Sequence, residues 1–474
     1  MASSPRISLW LENLEDRWMP SAMQPTAAEQ LLLQELNLAR EQPAAYGASI
    51  GLDLSNVAPS APFAFNPDLI DAAFLHSEDM STQGYFAHNT QVGEDPGQRM
   101  AAAGFSWSSW GESIAGGTAY PGPASALAGL IVDAGVPDLG HRIQLLAMQP
   151  MFQGQNEVGI GIVQGSNGPL VDYYTIDTAS PLVSQTFLTG VVFHDNNATG
   201  QYAIGEGVAG ATISVSGVGS VTTWTSGGYS IAVAPGTYTV TASGGGLAAP
   251  ISRIVTVGGS NVEVNFSTED DAYIQKLYQA DLSRSASVGE VAAWEGVLQS
   301  FGGPSAVTRG IDTSTEARTR LVDSWYVAYL GRPARGGEEQ VWVNELVQGA
   351  SEEQVQSEIL DSQEFYNRAS LLENAGSVNQ SYVAALYSVV LGRGASAGEI
   401  EGWAAALTPG NRSVVADGFL QSGEYRSDVV KGFYSTLLHR PAAPSSTEVA
   451  NWANSSLDIT DIRIGFESSA EFFQ

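Results

Sequence analysis

The spacing of apolar and polar positions changes character three times along the chain. Between Gln30 and Arg40, Leu31, Leu32, Leu33, Leu36 and Leu38 recur at helical spacing. Pro67 to Met80 repeats that pattern, with Pro67 suited to a first helical turn. Val158–Val163 and Val171–Ile176 alternate with period two, as half-buried strands do. Helices followed by strands predict an α+β sandwich over residues 25–180. From 186 to 267 the period-two pattern takes over. Ala211–Ser216, Val221–Thr225, Tyr229–Val233 and Tyr238–Ala242 read as strands, with Gly227-Gly228 and Pro235-Gly236 as turns. A small all-β sandwich is expected there.

From 270 to 474 the helical period returns, and with it an internal repeat. The unit is a Tyr, an Arg six residues on, a Trp, and a closing Ser-x-Glu. Its copies are Tyr278/Arg284/Trp294/Ser314-Glu316, Tyr326/Arg332/Trp342/Ser362-Glu364, Tyr387/Arg393/Trp403/Ser422-Glu424 and Tyr434/Arg440/Trp452/Ser469-Glu471. The Arg-to-Trp gap is ten in three copies and twelve in the last. Gly331 and Gly392 stand where a helix C-terminus favours glycine. An all-α repeat domain follows. Aromatic and arginine at fixed spacing point to core and cap, with a ligand groove as the alternative. The first copy is degenerate, with Asp281-Leu-Ser-Arg284 in place of Leu-Gly-Arg, as terminal repeats often are.

Charge sharpens these boundaries. The 474 residues carry a net −30, distributed as −14 over 1–180, −2 over 181–267 and −14 over 268–474. Lysine occurs only at Lys276 and Lys431. Such scarcity of basic residues argues against a nucleic-acid partner, which needs clustered Lys and Arg, and against adhesion to anionic lipid. The absence of cysteine removes disulfides, thiolate–zinc sites and cysteine nucleophiles together. No apolar window of about 18 residues is present, so no transmembrane segment is expected.

Five short strings carry the candidate chemistry of the first segment: His76-Ser-Glu-Asp-Met80, Gly84-Tyr-Phe-Ala-His88, Gly111-Glu112-Ser-Ile-Ala115, Gly140-His141-Arg142 and Glu157-Val-Gly-Ile-Gly161. In this order they resemble the bacterial branch of the CAP superfamily (cysteine-rich secretory, antigen-five and pathogenesis-related proteins), over about 150 residues. The resemblance implies an open cleft lined by two histidines and two glutamates. His88 and His141 match the histidines and Glu112 the first glutamate. The second glutamate has no clear equivalent. Asp133, eight residues before His141, is the nearest acid. His76 belongs to a bacterial motif outside that tetrad and reads as a hydrogen-bonded, half-buried residue, with a secondary role in the cleft as the alternative.

Two neutral imidazoles facing one space can hold zinc or another divalent ion, with carboxylates orienting the rings. Metal-assisted hydrolysis would need an open coordination position and a carboxylate base. No His-Glu-x-x-His string or Gly-x-Ser-x-Gly elbow occurs, so Ser113 is a poor nucleophile. A shared polar cleft that binds rather than catalyses is the favoured expectation, and a metal-dependent hydrolase the alternative.

The β segment resembles the prealbumin-like modules of bacterial surface proteins, of the Sdr B-repeat and carboxypeptidase-regulatory types. Its opening loop, Asp195-Asn-Asn197-Ala-Thr199-Gly200 through Glu206, fits a calcium template of oxygen ligands at positions 1, 3, 5 and 12 with glycine at 6. Asp195, Asn197, Thr199 and Glu206 are therefore calcium candidates, against the alternative of a bare Asn/Gly-rich turn. The helical segment resembles the repeat domain of unknown function 4214. Residues 1–24 include Leu11-Glu-Asn-Leu-Glu-Asp-Arg17, which resembles the export leader of planctomycete surface proteins. Together these resemblances imply an exported cell-surface or extracellular protein that meets a surface ligand, a lipid or another protein.

Overall fold

The computed structural model describes residues 23–117, 122–165, 170–408 and 410–474. The expected leader lies outside the described residues. Two compact units emerge: residues up to 193 together with 202–266, and residues 194–201 together with 267–474.

The first unit opens with helices α1 (Ala27–Glu41), α2 (Pro43–Ser49), α3 (Pro67–Gln83), α4 (Pro96–Ala103), α5 (Pro123–Val132), α6 (Gly140–Leu145) and α7 (Pro150–Gln153). They surround strands β1 (Ala64–Phe65), β2 (Trp107–Gly117), β3 (Glu157–Gln164) and β4 (Asp172–Pro181), which form one sheet in the order β1-β3-β4-β2. Thr26 and Glu29 start α1 with a reciprocal capping box, and Asn66 caps α3 ahead of Pro67. The two glycines of the Glu157-Val-Gly-Ile-Gly161 string have a packing cause. A Cβ on Gly159 would lie 2.0 Å from the Leu69 backbone, and one on Gly161 2.3 Å from Phe74 N. Helix α3 can lie on β3 only because those side chains are absent.

The same unit continues into a β-sandwich. Its sheets run β10-β9-β6-β7 and β11-β5-β8, made of β5 (Thr186–Val191), β6 (Ala211–Val215), β7 (Gly219–Thr222), β8 (Gly228–Val233), β9 (Gly236–Gly244), β10 (Ile251–Val257) and β11 (Val262–Glu263). Leu188, Val192, Ile213, Tyr229, Val240 and Phe266 form the shared core. One expected strand is shorter than its alternation suggests. Thr223 makes the last ladder bond, its N–H donating to Ala211 O, and a turn then closes from Trp224 N to Gly228 O. Trp224 then sets its ring edge-on to Phe65, 6.0 Å away.

Side-chain amides join the sandwich to the preceding α+β part. Asn261 Nδ2 donates to Pro62 O (3.1 Å) and Asn156 O (2.7 Å), and Asn37 Nδ2 donates to Phe63 O (3.1 Å) and Glu263 (2.6 Å).

The second unit is helical. Its repeats are built alike. Each Arg N–H bonds back to the carbonyl of the copy's Tyr, at Arg284/Tyr278, Arg332/Tyr326, Arg393/Tyr387 and Arg440/Tyr434. Each guanidinium lies over that Tyr ring, 4.5–5.4 Å from its centroid. The Ser of Ser-x-Glu caps the next helix at Ser314, Ser362, Ser422 and Ser469, and its Glu pairs with the Arg. Sequence reasoning missed a second acid in each clamp: Glu290, Glu338, Glu399 and Glu448 also pair with the Arg. Its signal was available, since each stands four residues before the copy's Trp.

Candidate functional site

Four elements place the polar residues of the cleft. Strand β2 carries Glu112, and the antiparallel register sets it opposite Asp177 on β4. Arg99 projects from α4 and pairs with Glu112, while its Nη1 donates to His88 O at 2.7 Å. That contact ties the loop bearing His88 to the sheet. His88 Nδ1 then meets Glu112 Oε1 at 2.8 Å. The Glu112 side chain is 1% exposed, whereas that of His88 is 51% exposed. A buried carboxylate thus holds an open imidazole in place.

The second imidazole is held in the same way. Asp133 ends α5 in the left-handed region at φ 56°, which turns its carboxylate toward the next helix. Its Oδ2 accepts His141 N at 3.1 Å, and its Oδ1 meets His141 Nδ1 at 2.7 Å. Arg142 answers by donating to Ile131 O and Val132 O, both at 2.6 Å, so the end of α5 and the start of α6 cap one another. Both histidines engage a carboxylate through Nδ1, which leaves Nε2 as the nitrogen for a ligand.

His88, Glu112 and His141 line one cavity of about 620 Å³, whose other walls include Trp107, Trp110 and Phe152. His76 lies apart from that opening. Its ring is fully buried, Nε2 donates to Ala87 O at 3.1 Å, and Glu112 is 4.0 Å away. Burial, the largest cause, lowers its pKa and favours the neutral ring. It borders a separate cavity of about 510 Å³ with Asp79, Val92 and Arg99.

Three further residues shape the cleft without a sequence signal. Asp177 is fully buried, and burial followed by the Glu112 charge raises its pKa well above the ordinary carboxylate range. Arg99 neutralises Glu112 from behind. Gln144 takes the Ser113 hydroxyl at 2.8 Å and donates to Thr178 at 2.9 Å. Ser113 is wholly buried in this network, which leaves no role for it as a nucleophile. Two imidazoles are the donors the cleft could offer a divalent ion, each bonded at Nδ1 to Glu112 or Asp133. Among the described residues, the cleft does not gather three His or carboxylate ligand atoms within 4.8 Å of one another.

The calcium candidates divide between the units, Asp195, Asn197 and Thr199 in the second and Glu206 in the first. The Asp195 carboxylate accepts Thr199 N at 3.1 Å and Gly200 N at 2.7 Å. Asn197 Oδ1 accepts Thr199 N and Oγ1 at 3.1 and 2.6 Å. Glu206 accepts Ala203 N at 2.8 Å.

The α+β fold and its two carboxylate-backed histidines fall within one family match: residues 33–176 match the Cysteine-rich secretory protein family. Residues 200–269 match the Carboxypeptidase regulatory-like domain, and residues 370–429 the Domain of unknown function (DUF4214). The chain therefore carries a CAP domain, a prealbumin-like β domain and a helical DUF4214 region. A solved structure of an extracellular protein containing a SCP domain, from Bacillus anthracis str. Ames, is 20% identical. That match covers 31% of this chain and 40% of the other, with a TM-score of 0.22. No curated protein matches the chain. Among the described residues no helix is long and apolar enough to cross a membrane.

Proposed function

We propose that this is an exported, cell-surface or extracellular modular protein whose CAP cleft binds a small ligand or a partner without catalysis. The observation that carries this reading is the chemistry of the cavity walls. They combine two oriented imidazoles with indole and phenyl surface, which suits capture of a ligand with polar and apolar parts. The groups that hydrolysis would recruit are already engaged. Glu112 is shared between Arg99 and His88, and the Ser113 hydroxyl is bonded to Gln144.

The metal-dependent hydrolase reading has one observation in its favour, the pair of Nδ1-anchored histidines. A bound zinc ion would supply a Lewis acid there, with His88 and His141 as its protein ligands. Calorimetric titration of the full chain with zinc, for wild type and for His88→Ala and His141→Ala, tests this. We expect one ion per chain in wild type and at least tenfold weaker binding in each variant. No heat in wild type, or equal binding in both variants, removes the metal from the cleft. Turnover of a peptide library by the zinc-loaded chain, abolished in His141→Ala, would overturn the non-catalytic reading. Calcium at the loop of Asp195, Asn197 and Thr199 belongs to the same extracellular reading and rests on the sequence template.

A further inference from the structure

Among the described residues, one set of three acidic side chains brings its ligand atoms within 4.8 Å of one another: Asp281, Asp312 and Glu467. All three belong to the helical unit and none touches the CAP cleft. Two oxygens bound to one calcium ion at 2.3–2.6 Å can lie no more than about 5 Å apart, so this spacing accommodates a shared ion.

The surroundings answer that charge only in part. Glu467 is 0% exposed, and neither of its carboxylate oxygens accepts a bond from an N–H or hydroxyl donor; its side chain meets only the Asp281 carboxyl. Asp281 Oδ2 is likewise buried without such a donor. Of the nearby guanidiniums, Arg463 reaches the cluster at Asp312 only and Arg318 is committed to Glu352. Arg463 bonds Asp312 at 2.7 Å and also Glu352, while Arg318 bonds Glu352 at 3.0 Å. Four carboxylates (Asp281, Asp312, Glu352 and Glu467) therefore face two guanidiniums, an excess of two negative charges in a buried network.

Helix geometry adds to the imbalance. Asp312 and Glu467 are the last residues of helices Gly303–Asp312 and Ile459–Glu467, and Asp281 is the penultimate residue of Thr268–Leu282. Three negative helix ends converge with three acids upon them, an arrangement that favours a cation.

The repeats supply an internal control. Two residues before the capping serine, the inner copies carry Leu360 and Leu420, both fully buried, where the outer copies carry Asp312 and Glu467. Three residues before the clamp arginine, the other copies carry Tyr329, Val390 and Leu437, where the first carries Asp281. Core packing is satisfied by apolar residues at these positions, so the acids need another cause.

We infer that Asp281, Asp312 and Glu467 hold a hard divalent cation of the calcium class, which joins the first and last helical repeats. The donors are all carboxylate oxygens, which suits calcium over zinc or copper. The +2 charge cancels the excess of the network.

Scanning calorimetry of the chelator-dialysed full chain, with and without 10 mM calcium chloride, tests the site. We expect the transition of the helical unit to rise by roughly 5–10 °C, as for an extracellular-type calcium affinity. The double variant Asp312→Leu/Glu467→Leu restores the residues of the inner copies and should fold without responding to calcium. The comparison is made in the Asp195→Asn background, which removes the other calcium candidate of this unit, and His141→Ala in that background should keep the shift. If the double variant does not fold, Glu467→Gln is compared with wild type by equilibrium dialysis against radiolabelled calcium, with one fewer ion per chain expected. Absence of a shift in the Asp195→Asn background, or a shift that survives in the double variant, overturns the site. So does an unchanged ion count in Glu467→Gln.

Discussion

The CAP cleft and the arginine clamps of the helical repeats both rest on basic groups held by glutamates, yet they do different work. In the cleft, Glu112 is almost wholly buried and serves Arg99, His88 and the sheet at once. In the repeats, the arginines are 25–38% exposed and each glutamate has the same partner in every copy. Repetition is the mark of the architectural use, since a pattern that recurs four times serves what the copies share. A unique, buried hub opening on a cavity is the mark of the functional one. The difference teaches that partner number and burial, not residue type, separate site from scaffold.

The largest effect expected comes from breaking the hub. Glu112→Ala leaves Arg99 buried beside Asp177 without its counter-charge and should destabilise the first unit by about 3–5 kcal/mol. The same substitution in a clamp, Glu316→Ala, should cost at most about 1 kcal/mol, because the pair is open to water. Urea denaturation of the two variants measures both. Equal losses would erase the distinction between hub and clamp.

The smallest effect concerns pH. The Arg284 hydrogen bond, helped by Ser287, depresses the Glu290 carboxyl to about 2 from an ordinary 4.5. Its stabilising contribution is therefore complete above about 4.5 and disappears as pH falls toward 2. The melting difference between wild type and Glu290→Gln should shrink over that window, and high salt should reduce it further. A difference that stays constant from pH 5 to pH 2 would show that the clamp acts by shape rather than charge.

Much of this organisation was legible in the chain, and the failures have physical causes. Period-two alternation marks β6, β8 and β9 because each buries one face, whereas β3, expected to be half-buried, is covered on both because α3 packs on its glycines. Val221–Thr225 misled because alternation cannot register the turn from Trp224 N to Gly228 O that ends the ladder after Thr223. The cleft acids divide along the same line. Asp133 could be suggested from its nearness to His141 in the chain, whereas Asp177 reaches Glu112 only through strand register, 65 residues away. Nothing local distinguishes Arg99 from a surface arginine. Its role depends on the α4 helix facing β2, a tertiary fact. The second clamp acids were different, since their fixed distance from each Trp was readable once the copies were aligned.

The amides of Asn37 and Asn261 have a practical consequence. A fragment ending near residue 180 would strip Pro62 O and Asn156 O of the Asn261 donor and Asn37 of its Glu263 acceptor. The histidine cleft is therefore best studied with its β neighbour attached. It also means that the two modules share a seam of amide bonds that a cut between them would open.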